Sequence, residues 1–135
     1  KYISLGTNDL LQFFYGVDRT NERLAGMAKP LQVAFLRSLF YCIAAARAEG
    51  VQVGVCGEMA ADPTGFLTLM GMGLNEFSMR PAAVPRILEM IPCVNHRRVT
   101  TIVQEFLAEG APIDIKEHLQ HEFPKIAEFI QDQDS

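Results

Sequence analysis

Three short runs rich in apolar and β-forming residues, each closing on a small polar cluster, punctuate this 135-residue chain, and helix-forming stretches separate them. Tyr2–Leu5 ends at Gly6 and reads as a buried strand. Val51–Val55 alternates apolar residues with Gln52 and Gly54 and ends at Cys56-Gly57. Leu74–Met79 is the third run. Between the first two, Gly6–Asp9 reads as a turn and Leu10–Val17 as about two helical turns. Asp18–Glu22 is polar and reads as loop. Pro30 then predicts the first turn of a long helix reaching about Glu49, with Val33, Leu36, Phe40 and Ile43 on one face and Gly50 as its stop. Between the second and third runs, Asp62 and Pro63 read as N-cap and first residue of a helix carrying Phe66, Leu67, Leu69 and Met70, which stops near Gly71 or Gly73. Strand–helix–strand–helix–strand predicts parallel strands joined by crossovers, hence an α/β fold. Pro81–Met90 predicts a further short helix. Asn95–Glu109 and Asp114–Glu122 predict helices on either side of Gly110-Ala111-Pro112, with a frayed helix after Pro124.

Composition narrows the function classes. Hydrophobic residues are 49% and charged residues 21%, enough for an ordinary globular core. A net charge of −4 provides no broad basic field for nucleic acid or anionic lipid, so an anionic ligand has to be held by local groups. Cys42, Cys56 and Cys93 are odd in number and lie far apart. A disulfide framework and a structural zinc site are therefore not expected, and a reducing cytoplasm suits the chain. No apolar stretch of about 18 residues is present, so no membrane span is expected. The opening Lys1-Tyr2-Ile3 runs directly into a strand and reads as a piece of a longer protein. A (β/α)8 barrel takes about 250 residues. Three strands therefore mean either a small open sheet or the last part of a barrel.

The polar residues gather at strand ends. Asn8-Asp9 follow the first run, Cys56-Gly57-Glu58 the second, and Ser78, Met79 and Arg80 close the third. In parallel α/β folds the C-terminal strand ends line the active site. Each residue also has a plainer reading. Asn8 and Asp9 suit helix capping, Cys56 suits a buried thiol, and Arg19 suits a solvated charge. Cys42 and Cys93 read as structural, and Met70 and Met72 as core filler.

Four segments resemble a known family. Gly6-Thr7-Asn8-Asp9-Leu10, Val17-Asp18-Arg19-Thr20-Asn21-Glu22, Cys56-Gly57-Glu58-Met59-Ala60 and Gly73-Leu74-Asn75-Glu76-Phe77-Ser78-Met79 are similar in order and spacing to the C-terminal domain of enzyme I, the phosphoenolpyruvate–protein phosphotransferase of bacterial phosphotransferase systems. The first and third segments are shared with pyruvate phosphate dikinase and phosphoenolpyruvate synthase, which stand as the alternative. A non-catalytic dimerisation module is the rival from another class.

The resemblance implies that residues 1–92 are the last three β/α units of a TIM (β/α)8 barrel that binds phosphoenolpyruvate (PEP) with Mg2+ at its strand ends. Residues 93–135 then form a helical segment that packs on the barrel or at a dimer contact. Asp9 matches a metal ligand that also binds substrate, Asn8 and Arg19 match PEP contacts, and Cys56 matches the residue that handles the proton at the methylene carbon. The chemistry suits each. Mg2+ takes one or two carboxylates plus substrate oxygens, and the arginine fork fits carboxylate or phosphate. A thiol of ordinary pKa, about 8.5, is protonated at neutral pH and serves as a general acid. Glu58 is expected to orient the loop by hydrogen bonding. The resemblance also implies a homodimer, and a phosphoryl route through a histidine on an N-terminal domain to a small phosphocarrier protein. His96, His118 and His121 sit in no motif for that relay and read as surface, so this segment alone is expected to be inactive. Arg80 departs from the family pattern and either adds positive potential at the mouth or is solvated. The open sheet edges are expected to be covered by the C-terminal helices or by a second copy.

Overall fold

The computed structural model of the chain describes residues 1–18, 20–109 and 114–131. Strands β1 (Tyr2–Gly6), β2 (Gln52–Cys56) and β3 (Phe77–Ser78) form a parallel sheet in the order β1-β2-β3. Helices α1 (Thr7–Tyr15), α2 (Glu22–Ala25) and α3 (Val33–Ala48) separate β1 from β2. Helices α4 (Glu58–Ala61) and α5 (Pro63–Gly71) separate β2 from β3. Helices α6 (Val84–Met90), α7 (His96–Glu109), α8 (Ile115–Glu122) and α9 (Ala127–Gln131) follow. The molecule is mixed α/β, mostly helical around a small parallel sheet. No helix among the described residues is long and apolar enough to cross a membrane.

Helix α5 is the hub of the core. Every residue from Pro63 to Leu69 is buried, as is Gly71, the pattern of a helix apolar on all sides. It touches α4, α6, α7, α8 and α9. The fully buried Thr68 hydroxyl donates to the Thr64 carbonyl at 2.8 Å, so that donor is not lost. Phe35, Leu36, Leu39 and Ile43 come in from α3, and Val99, Ile102, Val103 and Phe106 from α7. Leu119 of α8 and Ile126 beyond it complete the cluster with no exposed surface. Each such fully buried side chain contributes about 1.5–3 kcal/mol.

Arginines tie helix ends to neighbouring elements. Arg37 of α3 donates through Nε to the Leu107 carbonyl at 2.7 Å and through Nη2 to Ala108 at 3.3 Å, satisfying orphan carbonyls at the end of α7 with a cation where the helix dipole favours one. Arg47 likewise donates to the Gly73 carbonyl, and Arg86 to that of Phe129.

Several expectations hold. Asp62 accepts from the Gly65 N–H at 2.7 Å as the N-cap of α5, with Pro63 at its first position. Gly50, at φ +65°, closes α3 with the bonds Gly50 N–H to Arg47 and Val51 N–H to Ala46. Asn95 and Asp114 cap α7 and α8. His96 and His121 are exposed and His118 partly so.

Others are corrected. Helix α3 starts at Val33, because Pro30 occupies a turn closed by Gln32 N–H to the Lys29 carbonyl. The third strand is two residues long. Leu74 and Gly73 spend their N–H groups on the end of α5, bonding Leu69 and Met70, which leaves Phe77 and Ser78 to pair. Cys42 is exposed on α3, so it fills no core space. The segment after Pro124 is anchored through buried Ile126 and Ile130. Val103, Phe106 and Leu107 of α7, in the segment expected to cover the barrel or meet a dimer partner, pack on the protein's own core.

The largest correction concerns β1. The strand is exposed, with Tyr2 at 51% and Ile3 at 39%. Its apolar composition suits burial, but β1 is an edge strand. By the two-residue side-chain period, Leu5, Val55 and Phe77 share the sheet face that packs on the helices. Tyr2, Ser4, Gln52, Cys56 and Ser78 share the other. That second face is bare apart from Gly54, which lies under the Tyr2 ring. The C-terminal helices pack on α5 and leave this edge open.

Candidate functional site

Because the strands are parallel and in register, their C-terminal ends fall on one level. Gly6 pairs with Cys56, and Cys56 with Ser78. The three loops that follow therefore leave the same edge of the sheet. Helix α1 begins immediately after β1, so Thr7, Asn8 and Asp9 form its first turn. Gly6 holds the N-cap position and no side chain caps the helix. Asn8 is spent elsewhere: its Oδ1 accepts the Glu58 N–H at 3.3 Å, across to the loop after β2. The capping reading of Asn8 and Asp9 is thereby replaced by a contact between two strand-end loops.

The turn at Gly57 makes that contact possible. Its φ of +118° and ψ of −179° lie in a region essentially reserved for glycine. A Cβ there would stand 2.5 Å from Thr7 Oγ1 and 3.3 Å from Asn8 Oδ1. Cys56, half-buried, ends β2 on the bare face of the sheet. Asp9 is exposed, and its carboxylate accepts no hydrogen bond among the described residues. The bond made at Glu58 comes from its backbone N–H, while its carboxylate is exposed. Arg19 lies outside the described residues.

A cleft of about 1030 Å3 opens over these loops. Asn8, Gly57, Glu58, Ser78, Met79 and Arg80 line it from the strand ends. Arg86 of α6 and Lys116 of α8 add two cations from elements remote in sequence. Arg80 is exposed at this mouth. Arg86 has a buried Nε with no hydrogen-bond partner among the described residues, although its Nη2 donates to the Phe129 carbonyl. Neither Cys56 nor Asp9 lines the cleft, but each is next in sequence to a residue that does. Among the described residues no group of three or more His, Cys, Asp or Glu side chains is placed to hold a metal ion.

A clustering of strand-end polar groups with three cations suits a small oxygen-rich anion. The comparisons with known proteins agree in kind. The family described as "PEP-utilising enzyme, PEP-binding domain" matches residues 1–96. This chain belongs to that family of PEP-utilising enzymes. The chain shares 36% identity over 124 residues with the phosphoenolpyruvate-protein phosphotransferase of Lactococcus lactis subsp. lactis, covering 92% of this chain and 22% of the relative. Proteins of the same name from Cupriavidus necator and Geobacillus stearothermophilus are 41% identical over 111 residues and 46% over 83. These cover 82% and 62% of this chain, and 19% and 14% of the relatives. The chain thus spans about a fifth of the length of the first of these relatives. An alignment of 124 residues is longer than residues 1–92, so the likeness runs into the C-terminal helices as well.

Three residues at or near this cleft escaped the sequence reading. Thr7 sat inside a motif whose attention fell on Asn8 and Asp9, although a hydroxyl at a strand end was signal enough. Arg86 and Lys116 carry no local signature. Only the packing of α6 and α8 brings them to the cleft.

Proposed function

We propose that this chain is the C-terminal part of the PEP-binding (β/α)8 barrel of a phosphoenolpyruvate–protein phosphotransferase. The full protein binds PEP with Mg2+ and passes the phosphoryl group to a protein histidine, releasing pyruvate. The observation that carries this reading is the hydrogen bond from the Glu58 N–H to Asn8 Oδ1, which joins the loop bearing Asp9 to the loop that follows Cys56. Names of the relatives support the reaction. The bare sheet face supports the barrel, since parallel sheets are ordinarily covered on both faces and barrel closure would cover this one.

The donor set is compatible with Mg2+, which commonly binds through one or two carboxylates together with substrate oxygens. Asp9 is the carboxylate we assign to it, exposed and without a competing partner among the described residues. Asp9 would hold the ion, which would supply electrostatic stabilisation of negative charge developing on the substrate. Asn8 and Arg19 hold the substrate's carboxylate and phosphate oxygens. As the phosphoryl group leaves for the histidine, the P–O bond breaks and its electron pair stays on the bridging oxygen, so the three-carbon fragment remains as an enolate. Cys56 then gives its thiol proton to the methylene carbon, completing pyruvate. The cations Arg80, Arg86 and Lys116 raise the local concentration of the anionic substrate. The histidine relay, the phosphocarrier and the dimer partner belong to the full-length protein.

The test is made in that full-length protein. Cys56→Ala is expected to keep PEP affinity within about threefold while pyruvate formation falls by at least about 100-fold, the scale of a general-acid contribution. Normal turnover by this variant refutes the role of Cys56. Asp9→Ala is expected to remove the response of turnover to added Mg2+, and an unchanged Mg2+ response refutes the metal assignment.

A further inference from the structure

Thr7 is one of three buried polar side chains among the described residues, at 2% exposure. The Thr68 hydroxyl donates to the Thr64 backbone carbonyl one turn back in α5. The Thr7 hydroxyl instead reaches 49 residues along the chain and donates to the Cys56 carbonyl at 3.0 Å. Resting on the general-acid reading above, we propose that Thr7 is the positioning residue for Cys56.

The argument is one of backbone geometry. The Cys56 carbonyl belongs to the peptide that leads into Gly57. Holding that carbonyl fixes the plane of the peptide, and with it ψ of Cys56. On its other side Cys56 is fixed by the ladder, level with Gly6 and Ser78. With both sides held, the Cα–Cβ bond has one direction, and Sγ is confined to the staggered χ1 positions about it. The next peptide is held too, since the Glu58 N–H donates to Asn8 Oδ1 at 3.3 Å. Gly57 lies between these two grips, with Thr7 Oγ1 and Asn8 Oδ1 filling the space where a Cβ would stand. Thr7 and Asn8 are adjacent residues in the first turn of α1, so one rigid element clamps two successive peptides. This clamp sets where Cβ of Cys56 stands, and with it the arc open to the thiol, without touching the substrate. Misplacement of a reacting group by about 1 Å costs on the order of 100-fold in rate.

The experiment uses the full-length protein with PEP as the probe. Thr7→Val keeps the side-chain shape and removes the donor. It is expected to lower kcat for pyruvate formation by about 10- to 100-fold while the PEP dissociation constant moves less than about threefold. Thr7→Ser restores the donor and is expected to recover kcat to within about threefold of the parent. Unchanged kcat in Thr7→Val overturns the proposal. So does a Thr7→Ser variant as impaired as Thr7→Val, or PEP affinity that falls in step with kcat. If circular dichroism shows that Thr7→Val does not fold, Thr7→Ala takes its place under the same criteria. Cys56→Ala is measured alongside. Normal turnover by Cys56→Ala overturns both readings, whereas an inactive Cys56→Ala beside a fully active Thr7→Val overturns the positioning role alone.

Discussion

Arg98 and Glu122 form a two-point pair, Nε to Oε1 at 2.8 Å and Nη2 to Oε2 at 3.1 Å, linking α7 to α8. The hydrogen bond from Arg98 holds the Glu122 carboxyl below the ordinary glutamate range, assisted by the charges of Arg98, His118 and His121. A carboxyl lowered in the folded state stabilises fully above its unfolded pKa, about 4.3, and loses that contribution as pH falls through the lower folded value. Glu122→Gln is therefore expected to destabilise slightly at neutral pH and to match the parent in acid. Denaturant midpoints from pH 7 down to pH 3 would check this, and a difference that persists in acid would contradict it. Both partners are substantially exposed, so the effect is small and fades with added salt. At the same scale, the identities of Asn8, Asp9 and Cys56 were legible as a strand-end cluster. The partners of Asn8 and Thr7 were not, because a hydrogen bond across 49 or 50 residues leaves no local pattern.

At the scale of elements, local rules and packing can be weighed against each other. Asp62→Ala removes the N-cap of α5 and is expected to cost about 1 kcal/mol in urea denaturation. Gly71→Ala sets two effects in opposition. Helix propensity alone favours alanine by about 1 kcal/mol. The new Cβ would stand 2.5 Å from Val103 Cγ2 and 3.2 Å from the Val99 carbonyl, where α5 crosses α7. Overpacking of this kind costs about 1–3 kcal/mol, so the net change is expected to be destabilising. A gain in midpoint would show that α7 shifts freely. Helix ends were legible in advance where a cap or glycine marked them, as at Asp62 and Gly50. They were misjudged at Pro30, where proline serves a turn as readily as a helix start.

For the whole molecule, the sheet is the decisive feature. Its helix-facing side joins the core and its other side is bare, with β1 exposed along Tyr2–Ser4. Asn8, Asp9 and Cys56 sit along one edge of that sheet, and a phosphoryl-accepting histidine lies in no motif of this chain. The isolated 135-residue chain is accordingly expected to form no pyruvate from PEP with Mg2+ present. A coupled pyruvate assay would check it, and measurable turnover would refute the division of labour proposed above.

The amino-acid order alone determined the strand–helix alternation, the Asp62 cap and the Gly50 stop, and the gathering of Asn8, Asp9, Cys56 and Arg80 at strand ends. These follow from backbone periodicity and from side chains acting on their near neighbours. Tertiary structure decided which sheet face is covered, that Arg37 closes the end of α7, that Arg86 and Lys116 join the cleft, and that Thr7 grips the Cys56 carbonyl. Burial and long-range hydrogen bonds depend on which elements meet in space, and a strand's composition is the same whether or not anything covers it.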